Sequence, residues 1–382
     1  MKITPEIKEI LKIFFLGAAL TFLNLPEISY AEGITMQRTL KLNPQKDNPR
    51  NSEGDFVQLK DGNLLFVYTH FTGGADDHDK AYLAGRYSKD GGLTWTAEDV
   101  TIVSNEGKQN VMSVTLLRLK NGNIALFYLV KNSMDDCMPY MRISKDEAHT
   151  WSDAAPCIKD APGYYVLNND RVIQLESGRL LMPLALHKIP QWKDFDWKGT
   201  ALCLLSDDNG ANWRFSKDEL KGFDEKEKRI AVHEPGVVEL KEERVMMFCR
   251  TDAGCQYISC SHDKGESWTP LKPSNIISPL SPASIARIPK TKHLLLVWNE
   301  HKDIDASLKG KRTPLCAAIS RDDGATWENH KTLEDNPHGW YCYTAIHFVG
   351  ENALLAYCAG DRRENNGLAV TQVTLFPLKW MY

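Results

Sequence analysis

Short apolar runs, each closed by a turn signal, set the rhythm of this chain. Phe56–Leu59 and Leu64–Thr69 flank Lys60-Asp61-Gly62-Asn63, and Val114–Leu119 and Ile124–Val130 flank Lys120-Asn121-Gly122-Asn123. Runs of strand length joined by Gly- and Asn-containing turns predict β-hairpins. The same strand–turn–strand pattern recurs at Val172–Leu175 with Leu180–Leu186 and at Val237–Leu240 with Arg244–Cys249. It recurs again at Ile285–Ile288 with His293–Trp298 and at Ala345–Val349 with Ala353–Tyr357.

A second pattern follows five of these hairpins. Ser88–Trp95, Ser144–Trp151, Ser206–Trp213, Ser261–Trp268 and Ser320–Trp327 share the form Ser-x-Asp-x-Gly-x-Thr/Ser-Trp. Ala148 replaces the glycine in one copy and Asn212 the hydroxyl residue in another. The spacing of roughly sixty residues marks a repeat architecture. An Asp two residues after Ser can bond the backbone of its own turn, Gly allows positive φ at the tip, and Trp can cover the turn. The pattern therefore reads as a fastener between strands, and its aspartates receive no catalytic role.

Six units of four strands predict an all-β, six-bladed β-propeller spanning residues 34–382, with Leu368–Leu375 in the last unit and Ile34–Leu42 supplying its outer strand. The charged insertion Asp218–Arg229 reads as a surface loop. Apolar residues make up 42% and charged residues 25% of the 382 positions, as in soluble globular proteins. A net charge of −4 gives no basic field for nucleic acid.

Lys2, Lys8 and Lys12 precede the apolar run Ile13–Leu20, with small residues near Ser29-Tyr30-Ala31. This predicts a signal peptide over residues 1–31, a secreted or periplasmic location and no membrane span in the mature chain. Nine cysteines without metal-type spacing predict mostly buried thiols, with a Cys249–Cys260 bridge conceivable, and neither metal nor cofactor.

The entry to each inner strand and the loop between the second and third strands lie on one face of such a fold, opposite the Asp turns. That face collects Arg50, Glu234 and Tyr343, each just before an inner strand, and Arg250 at the end of a second strand. It also collects Arg312 at the start of a third strand and Asp76, Asp77 and Asp79 in the loop of the first unit.

With these positions the chain resembles the sialidase (neuraminidase) family, six-bladed propellers whose Ser-x-Asp turns are called Asp boxes. His233–Leu240 followed by Met246–Arg250 is similar to the segment holding a catalytic Glu and the second carboxylate-binding Arg. Arg312 resembles the third Arg, and Tyr343-Thr344-Ala345-Ile346 the segment with the nucleophilic Tyr. Asn48-Pro49-Arg50-Asn51 stands where the family has its first Arg, in a different local context. The resemblance implies a retaining exo-α-sialidase with Tyr343 as nucleophile and Tyr341 its rival, Glu234 as base, and Asp77 or Asp76 as acid/base. Arg50, Arg250 and Arg312 would bind the substrate carboxylate.

The chemistry is coherent, because three arginines suit a carboxylate and a neutral phenol approaches an anionic carbon without repulsion. Two alternatives are a hydrolase of another acidic sugar, such as a different ulosonate or a uronate, and a non-catalytic propeller that binds acidic glycans. The expected partners are sialylated or other acidic glycans, and the expected state is a monomer. Asn168–Arg171, Asn299-Glu300 and Asp361-Arg362-Arg363 lie on the same face, as further ligand contacts or as salt bridges between blades.

Overall fold

A computed structural model describes residues 36–382, so the expected signal peptide lies outside the described residues. The hairpins form where the turn chemistry places them. Gly62, Gly122 and Gly178 occupy the left-handed region at the tips, with φ of 87°, 89° and 96°.

Six four-stranded units follow one another. The first contains Arg50–Gln58, Leu64–Phe71, Ala81–Ser88 and Val100–Val103. The second begins at Asn110–Arg118, the third at Ile173–Gln174, the fourth at His233–Glu239, the fifth at Ser284–Arg287 and the sixth at Gly339–Val349. A short extra strand, Tyr164–Val166, pairs with both Asp136–Ser144 and Leu180–Lys188 and merges the second and third units into one sheet. The outer strand of the sixth unit is Gln37–Leu42, antiparallel to Thr371–Pro377. The N-terminal segment thus fills the place expected of it. The inner strand of the first unit packs against those of the second and sixth, so the ends of the repeat are neighbours.

All five Asp turns share one geometry. In the first, Ser88 donates to Asp90 at 2.9 Å and accepts from the Gly92 N–H at 2.9 Å. Asp90 also accepts from the Thr94 N–H and hydroxyl. The two deviations are compatible with it. Ala148 adopts φ 66° at a cost of roughly 1 kcal/mol, and Asn212 Nδ2 stands in for the hydroxyl, donating to Asp208 at 2.8 Å.

The core lies between blades. Val57, Leu65 and Val67 of the first unit cluster with Val111, Leu126 and Tyr128 of the second. The conceivable Cys249–Cys260 bridge does not form. Cys249 faces Tyr257 and Cys260 faces Met246 across the same strand pair, and all nine cysteines are free.

Candidate active site

Four inner strands carry the same irregularity near the mouth of the axis. Between Ser52 and Asp55, Met112 and Thr115, His233 and Gly236, and Cys342 and Ala345, two residues oppose one on the partner strand. These are β-bulges, which re-aim a side chain and bend the strand. The first bulged residue has positive φ each time: Glu53 at 44°, Ser113 at 61°, Glu234 at 45° and Tyr343 at 57°. Strand pairing resumes on the mouth side of each bulge. Arg50, Glu234 and Tyr343 therefore lie within the inner strands rather than just before them. An alternating pattern cannot register a bulge, so the apolar runs mark only its far side. Non-glycine residues in this region are strained, and such strain concentrates at functional sites.

The bulges bring Glu234 and Tyr343 together from the fourth and sixth units. The Tyr343 hydroxyl donates to Glu234 Oε1 at 3.2 Å, and Arg250 donates to the same oxygen at 2.8 Å. Glu234 Oε2 is buried and has no protein partner. Arg312 stacks over the Tyr343 ring at 5.4 Å and donates to Cys342 Sγ at 3.0 Å. It precedes the third strand of its unit, Leu315–Ser320, instead of starting it. Tyr341 faces the other way, into an apolar cluster with Ile346, Leu355 and Tyr357, which separates it from Tyr343.

The charges polarise this pair in opposite senses. Burial alone would raise the Glu234 carboxyl, but Arg250 and Arg312 outweigh it and hold the group below the usual carboxylate range. Burial first, and then the Glu234 carboxylate, push the Tyr343 phenol well above the ordinary tyrosine range. At neutral pH the result is a neutral phenol donating to an ionised carboxylate.

Arg50 is 1% exposed and must be paired. It donates to Glu53 at 3.0 Å, to Asp77 at 2.6 Å and to the Ala75 carbonyl at 3.1 Å, with Phe71 beneath it at 4.5 Å. Asp77, not Asp76, is therefore the loop acid that meets Arg50. Both acids are exposed, but the Asp76 N–H donates to Asp79 within the loop, whereas the Asp77 carboxylate reaches Arg50. Partial desolvation would raise Asp77, but the Arg50 charge and hydrogen bond outweigh it and lower the group. Asn110 and Lys131 of the second unit clamp the loop by donating to the Asp77 carbonyl.

Glu53 and Lys131 escaped the sequence reading. The Arg-x-x-Glu spacing of Arg50 and Glu53 was visible, but only a bulge makes the two face each other.

Several of the other polar residues on this face bond to the protein itself. Asn169 of the third unit donates to the carbonyls of Gly54 and Tyr343, Asp170 accepts from the Ile346 N–H at 2.8 Å, and Arg171 donates to the Ala283 carbonyl. This segment ties the first, fifth and sixth units together across the axis. Asn299 bonds Pro314, Glu300 pairs with His330, and Asp361 binds Arg363 within its own turn.

A family model described as a BNR repeat-like domain matches residues 71–355. A sialidase from Micromonospora viridifaciens is 25% identical over 376 residues, covering 88% of this chain and 54% of that protein. An anhydrosialidase from Macrobdella decora is 26% identical over 238 residues, covering 58% of this chain and 29% of that protein. The chain thus spans about half the length of the first relative and under a third of the second.

Among solved structures, a Dyadobacter fermentans protein of unknown function aligns with a TM-score of 0.70 at 19% identity, covering 90% of this chain and 99% of that one. A Streptococcus pneumoniae sialidase aligns at 0.71 and 15%, covering 91% of this chain and 71% of that one. A Trypanosoma rangeli sialidase, in complex with 2,3-difluorosialic acid as a covalent intermediate, aligns at 0.69 and 14%, covering 92% of this chain and 60% of that one. At these identities the likeness to solved structures is one of fold.

Proposed function

The chain belongs to the BNR repeat-like domain family, and on that premise we propose that it is a retaining exo-α-sialidase, releasing terminal sialic acid through a tyrosine nucleophile. The observation that carries the reading is Tyr343 hydrogen-bonded to a carboxylate that Arg250 and Arg312 keep ionised. Resemblance to sialidases in the curated and solved relatives supports it.

Three arginines, Arg250, Arg312 and Arg50, bind the carboxylate on the anomeric carbon. Glu234 takes the phenolic proton as Tyr343 Oη attacks, so that no anionic nucleophile has to approach an anionic carbon. Tyrosine nucleophiles are an established variant of two-step, retaining glycoside hydrolysis.

Asp77 protonates the leaving oxygen and later deprotonates the attacking water. In the free enzyme it is paired with Arg50 and held ionised. The substrate carboxylate takes over Arg50, and loss of that cation raises Asp77 toward the value an acid needs.

Release of a fluorogenic leaving group from an α-sialoside, with matched uronides in parallel, tests the proposal. Turnover of the sialoside is expected. Turnover of uronides alone, or binding of sialosides without turnover, would overturn it.

A further inference from the structure

Behind Tyr343 lies a pair of thiols with no part in this chemistry. Cys342 and Cys358 are direct partners on the inner and second strands of the sixth unit. Direct antiparallel partners lie about 4.5–5.5 Å apart at Cα, inside the range that a disulfide spans. Both side chains are buried. Arg312 donates to Cys342 Sγ, whereas Cys358 Sγ lies 3.5 Å from the Ser52 hydroxyl. One thiol therefore faces a permanent cation and the other a neutral group.

We propose that Cys342 and Cys358 form a dithiol site that a small peroxide oxidises to a disulfide, and that this bond shuts down the adjoining Tyr343 centre. The second half rests on the sialidase reading, and the first does not.

Burial would raise Cys342, but the bond from Cys358 and the Arg312 charge outweigh it and bring the thiol below its ordinary range. Cys358, engaged in that bond and buried, is pushed well above its own. Thiolate character beside a cation is what makes a cysteine reactive. The Cys342 sulfur attacks one peroxide oxygen. The O–O bond breaks, hydroxide leaves to be protonated to water, and a sulfenic acid forms. The Cys358 sulfur then attacks Cys342, the S–S bond forms and the S–O bond breaks. Cys358 loses its proton, and the oxygen departs as a second water. Two thiols have given two electrons to one peroxide. The new bond removes the thiolate character of the sulfur that Arg312 donates to and pulls on the backbone next to Tyr343.

The full-length protein, reduced and desalted, is treated with hydrogen peroxide, then alkylated under denaturing conditions and digested. We expect a mass lower by two hydrogens and a linked peptide pair carrying Cys342 and Cys358. Turnover should fall on the order of 10²-fold and recover with a dithiol reductant. Cys358→Ser should give no such link. Persistence of both thiols, or a disulfide elsewhere in their place, would overturn the site. A Cys342–Cys358 link with unchanged turnover would overturn the control of activity. Absence of turnover even in the reduced protein, with the link still forming, would count against the sialidase reading and leave the site standing.

Discussion

Glu234 and Tyr343 occupy equivalent bulges two blades apart, with φ of 45° and 57°, and meet at 3.2 Å through Oε1 and the phenolic hydroxyl. Their approach is fixed by backbone geometry. If Glu234 is the base, Glu234→Gln keeps the contact and loses the proton acceptor, and kcat/KM should fall roughly 10²–10⁴-fold.

Because Arg250 and Arg312 hold Glu234 below the usual range, its carboxylate persists as pH falls. The acid limb of kcat/KM assigned to this group should lie below about pH 4.3. Arg250→Gln should move that limb to higher pH, as read from pH–rate profiles of the two proteins. An unmoved limb would remove Glu234 from the base role.

Asp77→Asn separates acid catalysis from nucleophilic attack. A leaving group that needs a proton should lose roughly 10²–10⁴-fold in turnover, and an activated aryl leaving group much less. Equal losses on both would argue against Asp77 as the acid.

Much of the fold was legible. The five Asp turns marked the repeat length, and the six strand–turn–strand hairpins marked the blade number. The bulges were not legible, because a one-residue shift in register leaves no trace in an apolar run. Arg50, Glu234 and Tyr343 lie within the inner strands, one structural step later than a position just before them. Glu53 was missed for the same reason. Choosing Asp77 over Asp76 needed the Arg50 contact. The roles of Asn169 and Asp170 needed their bonds to strands far away in sequence.

Asp170 makes stability depend on pH. Burial pushes its carboxyl up to about 7, against ~3.9 in an unfolded chain. Between those values the folded state holds a proton that the unfolded state has released. The stability from this group is therefore full below about pH 4 and is lost as pH rises through about 7. Denaturant midpoints should decline across that window. Asp170→Asn, which keeps an oxygen for the Ile346 N–H, should flatten the decline by up to about 1.4 kcal/mol per pH unit. An identical slope in the variant would contradict the assignment.

The Asp turns should matter for stability alone. Asp263 accepts from the Ser261 hydroxyl and from the Ser267 N–H and hydroxyl. Asp263→Ala should cost about 1–3 kcal/mol in chemical unfolding and leave kcat unchanged. A fall in kcat without loss of stability would give this turn a role in the reaction.

The central claim is that Tyr343 forms the covalent bond, and trapping that bond tests it most directly. The full-length chain is incubated with 2,3-difluorosialic acid, the compound held as a covalent intermediate by the Trypanosoma rangeli relative, and then mass-mapped after digestion. One sugar equivalent on the peptide carrying Tyr343, absent in Tyr343→Phe, is the predicted result. An adduct on Tyr341 or elsewhere, or none in a chain that turns over sialosides, would contradict it.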